Sequence, residues 1–333
     1  MGKLNYIKER FKKIDYMMEN FIEDDLNIFQ KGLVIVDLGL AILVYGAGIT
    51  DYFQYKFYRR KHIDKKKFIV HRKRMRIVNT CNDLQDREIF NHKSQFNEIF
   101  TDYIGRDWRD LNQCTYEEFY EFTEKHNKFI VKPTEGSHGK NIYFQTIDKE
   151  TDIEKLYSKV KSEKALVEEI VVQNDIIGEF NPSSVNTLRV VTLLDKNNDP
   201  KIMTANLRMG RGDRVADNFH HHGIATLLDV ETGIIKTSGI DGEGKRYLYH
   251  PITGKQIVGF KVPYWKDVCT TVKEAAKLIP TVRYVGWDVA VGKDGRIYII
   301  EGNSAADPDV SQLPDQIGKW PLYEPYIEEL KEM

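Results

Sequence analysis

The chain has 333 residues, enough for about two domains at roughly 150 residues each, which excludes a single mini-domain. Hydrophobic residues make up 41%, charged residues 30% and aromatics 11%, the balance of a packed protein rather than a disordered one. Against 50 Asp and Glu stand 49 Lys and Arg, so the net charge of −1 excludes the basic excess of a dedicated nucleic-acid binder.

In chain order, Met1 to Arg10 carries Lys3, Lys8, Glu9 and Arg10 without an apolar run, so no cleavable signal peptide is expected. Up to about Asn27, the spacing of Leu4, Ile7, Phe11, Ile14, Met18 and Phe21 predicts an amphipathic helix. Leu33 to Ile49 is nearly all apolar. It is interrupted by Asp37 and is slightly short for a bilayer span, so it reads as a buried helix whose Asp37 is paired. Lys56 to Arg76 holds eleven Lys and Arg against the single Asp64. That run is either a solvated face balanced by acidic neighbours or a contact with anionic lipid or a phosphorylated substrate. Cys81, Cys114 and Cys269 are too few and too scattered for a disulfide framework or a thiolate zinc site, which points to a reducing cytosol.

Beyond residue 125, β-rich runs alternate with Gly or Asp turns: Phe129 to Lys132, Asn141 to Phe144, Leu166 to Val171, Thr187 to Leu194, Lys201 to Arg208, Gly223 to Asp229, Tyr284 to Val291 and Arg296 to Glu301. Helical patterns fall at Thr151 to Glu163 and Trp265 to Leu278. The implied fold class is α+β with antiparallel hairpins rather than a βαβ array.

Three features carry chemistry. Asp294-Gly295 is a hairpin signal between apolar strands. With these two residues as the loop, counting back sets Asp288 opposite Glu301, with Asn303 two residues on along the same face. Facing carboxylates repel unless they meet solvent, an arginine or a metal. Two hard oxygen ligands plus a carboxamide suit Mg²⁺, with Asp288, Glu301 and Asn303 as its ligands. Upstream, Val131-Lys132-Pro133 ends a strand before Glu135, Gly136, Ser137, His138, Gly139 and Lys140, a loop able to bring N–H groups and ammonium charge onto phosphate. Finally, Leu166 to Val171 places Glu168 and Glu169 at the end of an apolar strand, either meeting solvent or forming a hinge whose backbone meets a purine.

This ordered set, with Arg189 in Asn186-Thr187-Leu188-Arg189, resembles the ATP-grasp superfamily. More narrowly, it resembles the sugar-transfer-associated ATP-grasp family linked to cell-surface polysaccharide synthesis. The narrower match rests on Asn181 to Thr192, Asp217-Asn218-Phe219, Asp51-Tyr52-Phe53 and Asn91-His92-Lys93, and it spans about residue 30 to about 325. The resemblance implies two α+β subdomains gripping ATP behind a helical N-terminal region. The expected division is 1–66 helical, 67–125 pre-ATP-grasp, 126–182 with the Gly-rich flap, and 183–333 with the Mg²⁺ site.

The resemblance further implies that Lys132 and Lys93 bind the ATP phosphates and that the flap from Glu135 to Lys140 closes over them. Glu168, Glu169, Ile170 and Val171 then offer backbone groups to adenine, with Glu168, Gln173 or Asp175 near the N6 amine or the ribose. Arg189 and Arg208 stabilise the transferring phosphoryl group. The sequence departs from the family at His220-His221-His222. Consecutive residues alternate across a strand, so these do not form a three-His metal site. Asn218, His221, His222 and Ser304 are the expected substrate contacts. The implied activity is a cytoplasmic, ATP- and Mg²⁺-dependent ligase (Mn²⁺ as an alternative) joining a carboxylate to an amine or other nucleophile through an acyl-phosphate. Its implied partners are small and sugar-linked, with peripheral membrane contact through Lys56 to Arg76. A phosphotransferase on the same fold and a nucleotide-binding scaffold at a membrane are the competing readings.

Overall fold

The computed structural model describes residues 3–22, 26–134, 142–212 and 223–332. Among the described residues, eleven strands form two antiparallel sheets. The smaller, in the order β1-β4-β2-β3, contains β1 (Trp108–Asp110), β2 (Lys128–Pro133), β3 (Tyr143–Thr146) and β4 (Ala165–Glu169). The larger runs β11-β10-β5-β6-β7-β8-β9. Its strands are β5 (Leu188–Leu194), β6 (Pro200–Met209), β7 (Ile224–Ala225), β8 (Gly239–Asp241), β9 (Arg246–Tyr247), β10 (Tyr284–Val291) and β11 (Ile297–Asn303). The run expected from Gly223 to Asp229 shortens to the two residues of β7.

Among helices of seven residues or more, α1 is Lys3–Phe21, α2 Ile28–Tyr45, α3 His71–Cys81, α4 Lys93–Ile99, α5 Tyr116–Lys125, α6 Ile153–Ser162, α7 Trp265–Ala276 and α8 Trp320–Lys331. Helix α2 starts at a capping box: the Asn27 side chain accepts from Gln30 N at 2.9 Å, and the Gln30 side chain accepts from Asn27 N at 3.0 Å. It stops at Gly46, whose φ of +71° is the left-handed conformation that glycine adopts without a Cβ clash.

Helices α5 and α6 cover one face of the small sheet, where Phe119, Phe122, Phe129, Leu156 and Val160 share a core. Helix α7 covers the large sheet through Trp265, Val268 and Val272. The N-terminal helices join the large sheet without a gap. Leu38, Ala41, Tyr52, Phe53 and Phe57 pack in one cluster with Ala225, Ile240, Val310 and Leu313.

The expectation that α2 is buried is corrected. Only Leu38 and Ala41 of its 18 residues are buried, because the helix packs along one stripe and leaves the remainder outward. Asp37 is paired as expected: Lys65 Nζ lies 2.9 Å from both carboxylate oxygens, and Tyr52 Oη donates to it at 2.8 Å. The basic run is partly balanced by acids, with Lys65, Lys67, Arg74 and Arg76 paired to Asp37, Asp64, Asp307 and Glu328.

Candidate active site

The β10–β11 hairpin sets Asp288 directly opposite Glu301, but not through the two-residue turn expected from Asp294-Gly295. Gly292 N donates to Arg296 O at 2.8 Å, so the loop is the three residues Lys293 to Gly295 and the register next to it is offset by one. A bulge between Asp288 and Val289 leaves Ile300 unpaired and removes the offset: Val289 faces Ile299, and Asp288 faces Glu301. The bulge also carries Glu301 across to the Asp288 face of the ribbon, since a regular strand would keep residues 299 and 301 on one face. Asn303 Nδ2 donates to Glu301 Oε1 at 3.2 Å.

Asp288 is buried and held by two arginines. Arg189, opposite it on β5, binds both carboxylate oxygens, with Nη2 to Oδ2 at 3.0 Å. Arg208 Nη2 lies 2.8 Å from Oδ2 and also donates to Thr187 Oγ1 at 2.7 Å. Burial alone would raise the Asp288 pKa, but the two guanidinium groups override it and hold it at about 2. Glu301 moves the other way. Its tip is reached by solvent, yet the enclosing protein desolvates the carboxyl and Asp288 adds like charge, so its pKa rises.

The other wall of the cleft comes from the small sheet. Lys132 on β2 donates to Glu168 Oε2 on β4 at 2.6 Å, and Glu168 also accepts from Arg106 and, at 3.1 Å, from Asn97 Nδ2. Burial opposes ionisation of Glu168, but Arg106 and Lys132 outweigh it and keep the carboxylate charged well below the usual range. Lys93 opens α4, and its N–H donates to Thr134 O at 3.3 Å just beyond β2. Burial lowers the Lys93 pKa. Its ammonium also feels Glu301 from the large sheet and Lys132 and Glu168 from the small one. Five cations (Lys93, Arg106, Lys132, Arg189 and Arg208) surround three carboxylates, a surplus suited to a polyphosphate.

Between the sheets, Val171 to Asn174 runs beside the end of β10. Lys293 N donates to Val172 O at 2.9 Å, and Asn174 N donates to Val291 O at 2.8 Å. Glu169 accepts from Asp107 N at 3.1 Å, Ile170 is half-buried, and Asp175 pairs with Lys293 at 3.3 Å on the surface.

Three of the expected contacts are engaged within the protein. The Glu168 side chain, proposed near the N6 amine or ribose, is consumed by Lys132, Arg106 and Asn97. Gln173 is likewise turned inward: its amide donates to Ser184 O at 2.8 Å, and its oxygen accepts from Asn186 N at 3.0 Å, ordering the Asn181 to Asn186 loop that precedes Arg189. Ser304, proposed as a substrate contact, is buried with its hydroxyl donating to Arg87 O at 3.4 Å. The flap residues Glu135, Gly136, Ser137, His138, Gly139 and Lys140, and the substrate candidates Asn218, His221 and His222, lie outside the described residues. Arg106 was missed, because a lone arginine after a glycine gives no sequence signal for the junction it fills.

Asp288, Glu301 and Asn303 carry the oxygen chemistry that a divalent cation takes, with both Asp288 oxygens engaged by Arg189 and Arg208 in this structure. Two carboxylates and a carboxamide stand together, and burial first, then the like charge of Asp288, raises the Glu301 pKa. Among the described residues, no group of three or more His, Cys, Asp or Glu is arranged to hold a metal.

No curated protein matches the chain. Among solved structures, it is similar to the ATP-grasp ligase PsnB complexed with minimal precursor, at 14% identity and a TM-score of 0.45, covering 74% of this chain and 63% of PsnB. It is also similar to N5-carboxyaminoimidazole synthetase from Staphylococcus aureus complexed with ADP, at 10% identity and a TM-score of 0.43, covering 69% of this chain and 48% of that one. The chain thus spans less than two thirds of the length of either. The family described as Sugar-transfer associated ATP-grasp matches residues 72–323, well over half of the sequence, and takes in both sheets and the cleft between them. The fold is therefore ATP-grasp, and the chain belongs to the sugar-transfer associated ATP-grasp family.

Proposed function

We propose that the protein is an ATP- and Mg²⁺-dependent ligase that joins a carboxylate to an amine or another nucleophile. The observation that carries this reading is Asp288: it faces Glu301 across the hairpin while two arginines grip it, with the Lys93 ammonium coupled to the same Glu301. Lys132 and Lys93 hold the phosphate oxygens. Arg189 and Arg208 lie where negative charge accumulates as the terminal phosphoryl group moves, the main catalytic demand of such a transfer. Asp288, Glu301 and Asn303 hold Mg²⁺ or Mn²⁺, which supplies charge neutralisation to the phosphates.

In the first step a carboxylate oxygen of the substrate attacks the γ-phosphorus and the bond to ADP breaks. In the second, the nucleophile attacks the acyl carbon, inorganic phosphate leaves, and the nucleophile loses its proton. The family's description, an association with sugar transfer, is the support for reading the acid or amine as sugar-linked, and a role in cell-surface polysaccharide synthesis is part of the same proposal. A cytoplasmic enzyme with the Lys56 to Arg76 segment against a membrane surface agrees with that supply. The division at residues 66, 125 and 182 belongs to the same proposal.

The test is ADP release over a panel of amino acids and uronic-acid sugars, comparing wild type with Glu301→Ala. Substrate-dependent ADP release by wild type, lost in the variant and diverted to a hydroxamate by hydroxylamine, supports the ligase. Equal turnover in both proteins removes the metal assignment. A phosphorylated product that survives hydroxylamine indicates transfer to a non-carboxylate acceptor instead.

A further inference from the structure

Helix α2 turns a continuous apolar stripe away from the protein. Phe29, Leu33, Val36, Leu40 and Leu43 recur three or four apart and are 75%, 55%, 61%, 54% and 74% exposed. The helix is long and apolar enough to cross a membrane by composition, but its inner face carries the Asp37–Lys65 pair and packs on Tyr52. A helix held along one side by protein lies in an interface plane rather than across a bilayer.

At the C-terminal end of α2 the chain leaves an open cleft of about 250 Å³ whose wall includes Val44 of the helix and the cations Lys66, Arg72, Lys73 and Arg76. Arg72 donates to Leu43 O at 3.1 Å and Val44 O at 3.4 Å, and Lys73 donates to Lys66 O, so these bonds order the side chains without cancelling their charge. Burial brings the Lys73 pKa down to about 8 against the opposing pull of Glu324, with Arg76 and Lys66 adding smaller downward effects.

We propose that the outward stripe of α2 and the cationic cleft at its end form one docking surface for an anionic phospholipid bilayer. The stripe enters the acyl boundary and the cleft takes a lipid phosphate. Charge complementarity argues for this occupant: the apolar stripe ends beside Lys66, Arg72 and Lys73, while Arg76 is already paired with Glu328, and this is the order in which a bilayer presents acyl chains and then phosphates. The proposal rests on reading the basic segment as a membrane contact, and it adds the inserting helix and the headgroup site.

The test is flotation of the full chain with vesicles of phosphatidylcholine alone, or with equal parts phosphatidylcholine and phosphatidylglycerol. The proteins compared are wild type, Leu40→Glu/Leu43→Glu and Lys66→Glu/Lys73→Glu, with circular dichroism and ADP release in vesicle-free buffer as controls unchanged in all three. Wild type is expected to float only with anionic vesicles. The apolar variant should lose about tenfold in affinity per leucine, and the charge-reversal variant about tenfold or more. Salt-sensitive binding that survives Leu40→Glu/Leu43→Glu overturns the inserting helix and leaves only an electrostatic contact. Failure of wild type to bind any vesicle overturns both. Sedimentation velocity showing a dimer that Leu40→Glu/Leu43→Glu dissociates, with no flotation, assigns the stripe to a second copy and also overturns the proposal. None of these outcomes bears on the ligase, which ADP release reads separately.

Discussion

Arg106 Nε donates to Glu168 at 2.8 Å, both side chains being almost wholly buried, while the same guanidinium donates to Ile299 O at 2.8 Å and Ile300 O at 3.2 Å. One arginine therefore joins the carboxylate that orients Lys132 to the bulge that aims Glu301. Arg106→Ala leaves Glu168 with one cation fewer and removes a donor from three carbonyls, those of Ile104, Ile299 and Ile300. The expected cost is about 3–5 kcal/mol, the usual penalty for breaking a buried pair. Arg106→Lys keeps the charge but not the fork and is expected to recover only part of it. Urea unfolding of the three proteins measures this, and equal midpoints would refute the bridge.

Glu301→Gln keeps the size of the side chain and removes its charge. Half-saturation of ADP release by Mg²⁺ is expected to move up by at least about tenfold, with the fold unchanged by circular dichroism. A variant with wild-type Mg²⁺ dependence would show that Glu301 is not a ligand.

The raised pKa of Glu301 gives the metal site a pH dependence of defined sign. A proton and a divalent cation compete for the same carboxylate, so affinity should weaken as pH falls through the elevated value, earlier than for an ordinary glutamate. Calorimetric titration with Mn²⁺ across mildly acidic to neutral pH measures the slope. Glu301→Gln should flatten it.

Asp288, whose pKa is shifted the other way, contributes to acid stability. Its folded pKa of about 2 lies below the ordinary 3.8. The stabilisation is present above about pH 4 and is lost as pH falls towards 2. Glu168, depressed by Arg106 and Lys132, adds a contribution of the same sign. An acid-unfolding curve should therefore have a limb in this window. Asp288→Asn should weaken that limb while leaving the Glu168 part.

Gly302 separates Glu301 and Asn303, the proposed metal ligands of β11, and a Cβ there would lie 2.8 Å from ring carbons of both Phe90 and Phe96. Gly302→Ala is expected to cost about 1–3 kcal/mol and to loosen Mg²⁺ binding, because the strand must shift away from the two rings. Thermal unfolding together with Mg²⁺ titration checks both effects.

Where local pattern carries the information, the sequence was readable. Tyr284–Val291 appears at its expected limits, and the facing of Asp288 and Glu301 is visible in the alternation around an Asp-Gly turn. Even there the count succeeded because a third loop residue and the Ile300 bulge cancel, and neither has a signature in composition. The paired state of Asp37 follows from the expense of a lone buried charge, but its partner Lys65 lies 28 residues on and is fixed by tertiary packing. The same limit hid the roles of Glu168 and Gln173. Both side chains look available at a strand end, and only long-range contacts with Arg106, Asn97 and the Asn181 to Asn186 loop turn them inward. Helix α2 misled in the other direction, since an apolar run does not say whether protein or something else will cover it.

Because Ala225 and Ile240 of the large sheet share a core with Leu38, Ala41 and Phe53, the outward helix is not carried on a loose tether. Whatever that helix rests upon also sets the tilt and height of the catalytic mouth above it. On a bilayer, an acceptor arriving in the plane would meet the enzyme from one fixed side, and the encounter would become a two-dimensional search rather than a three-dimensional one.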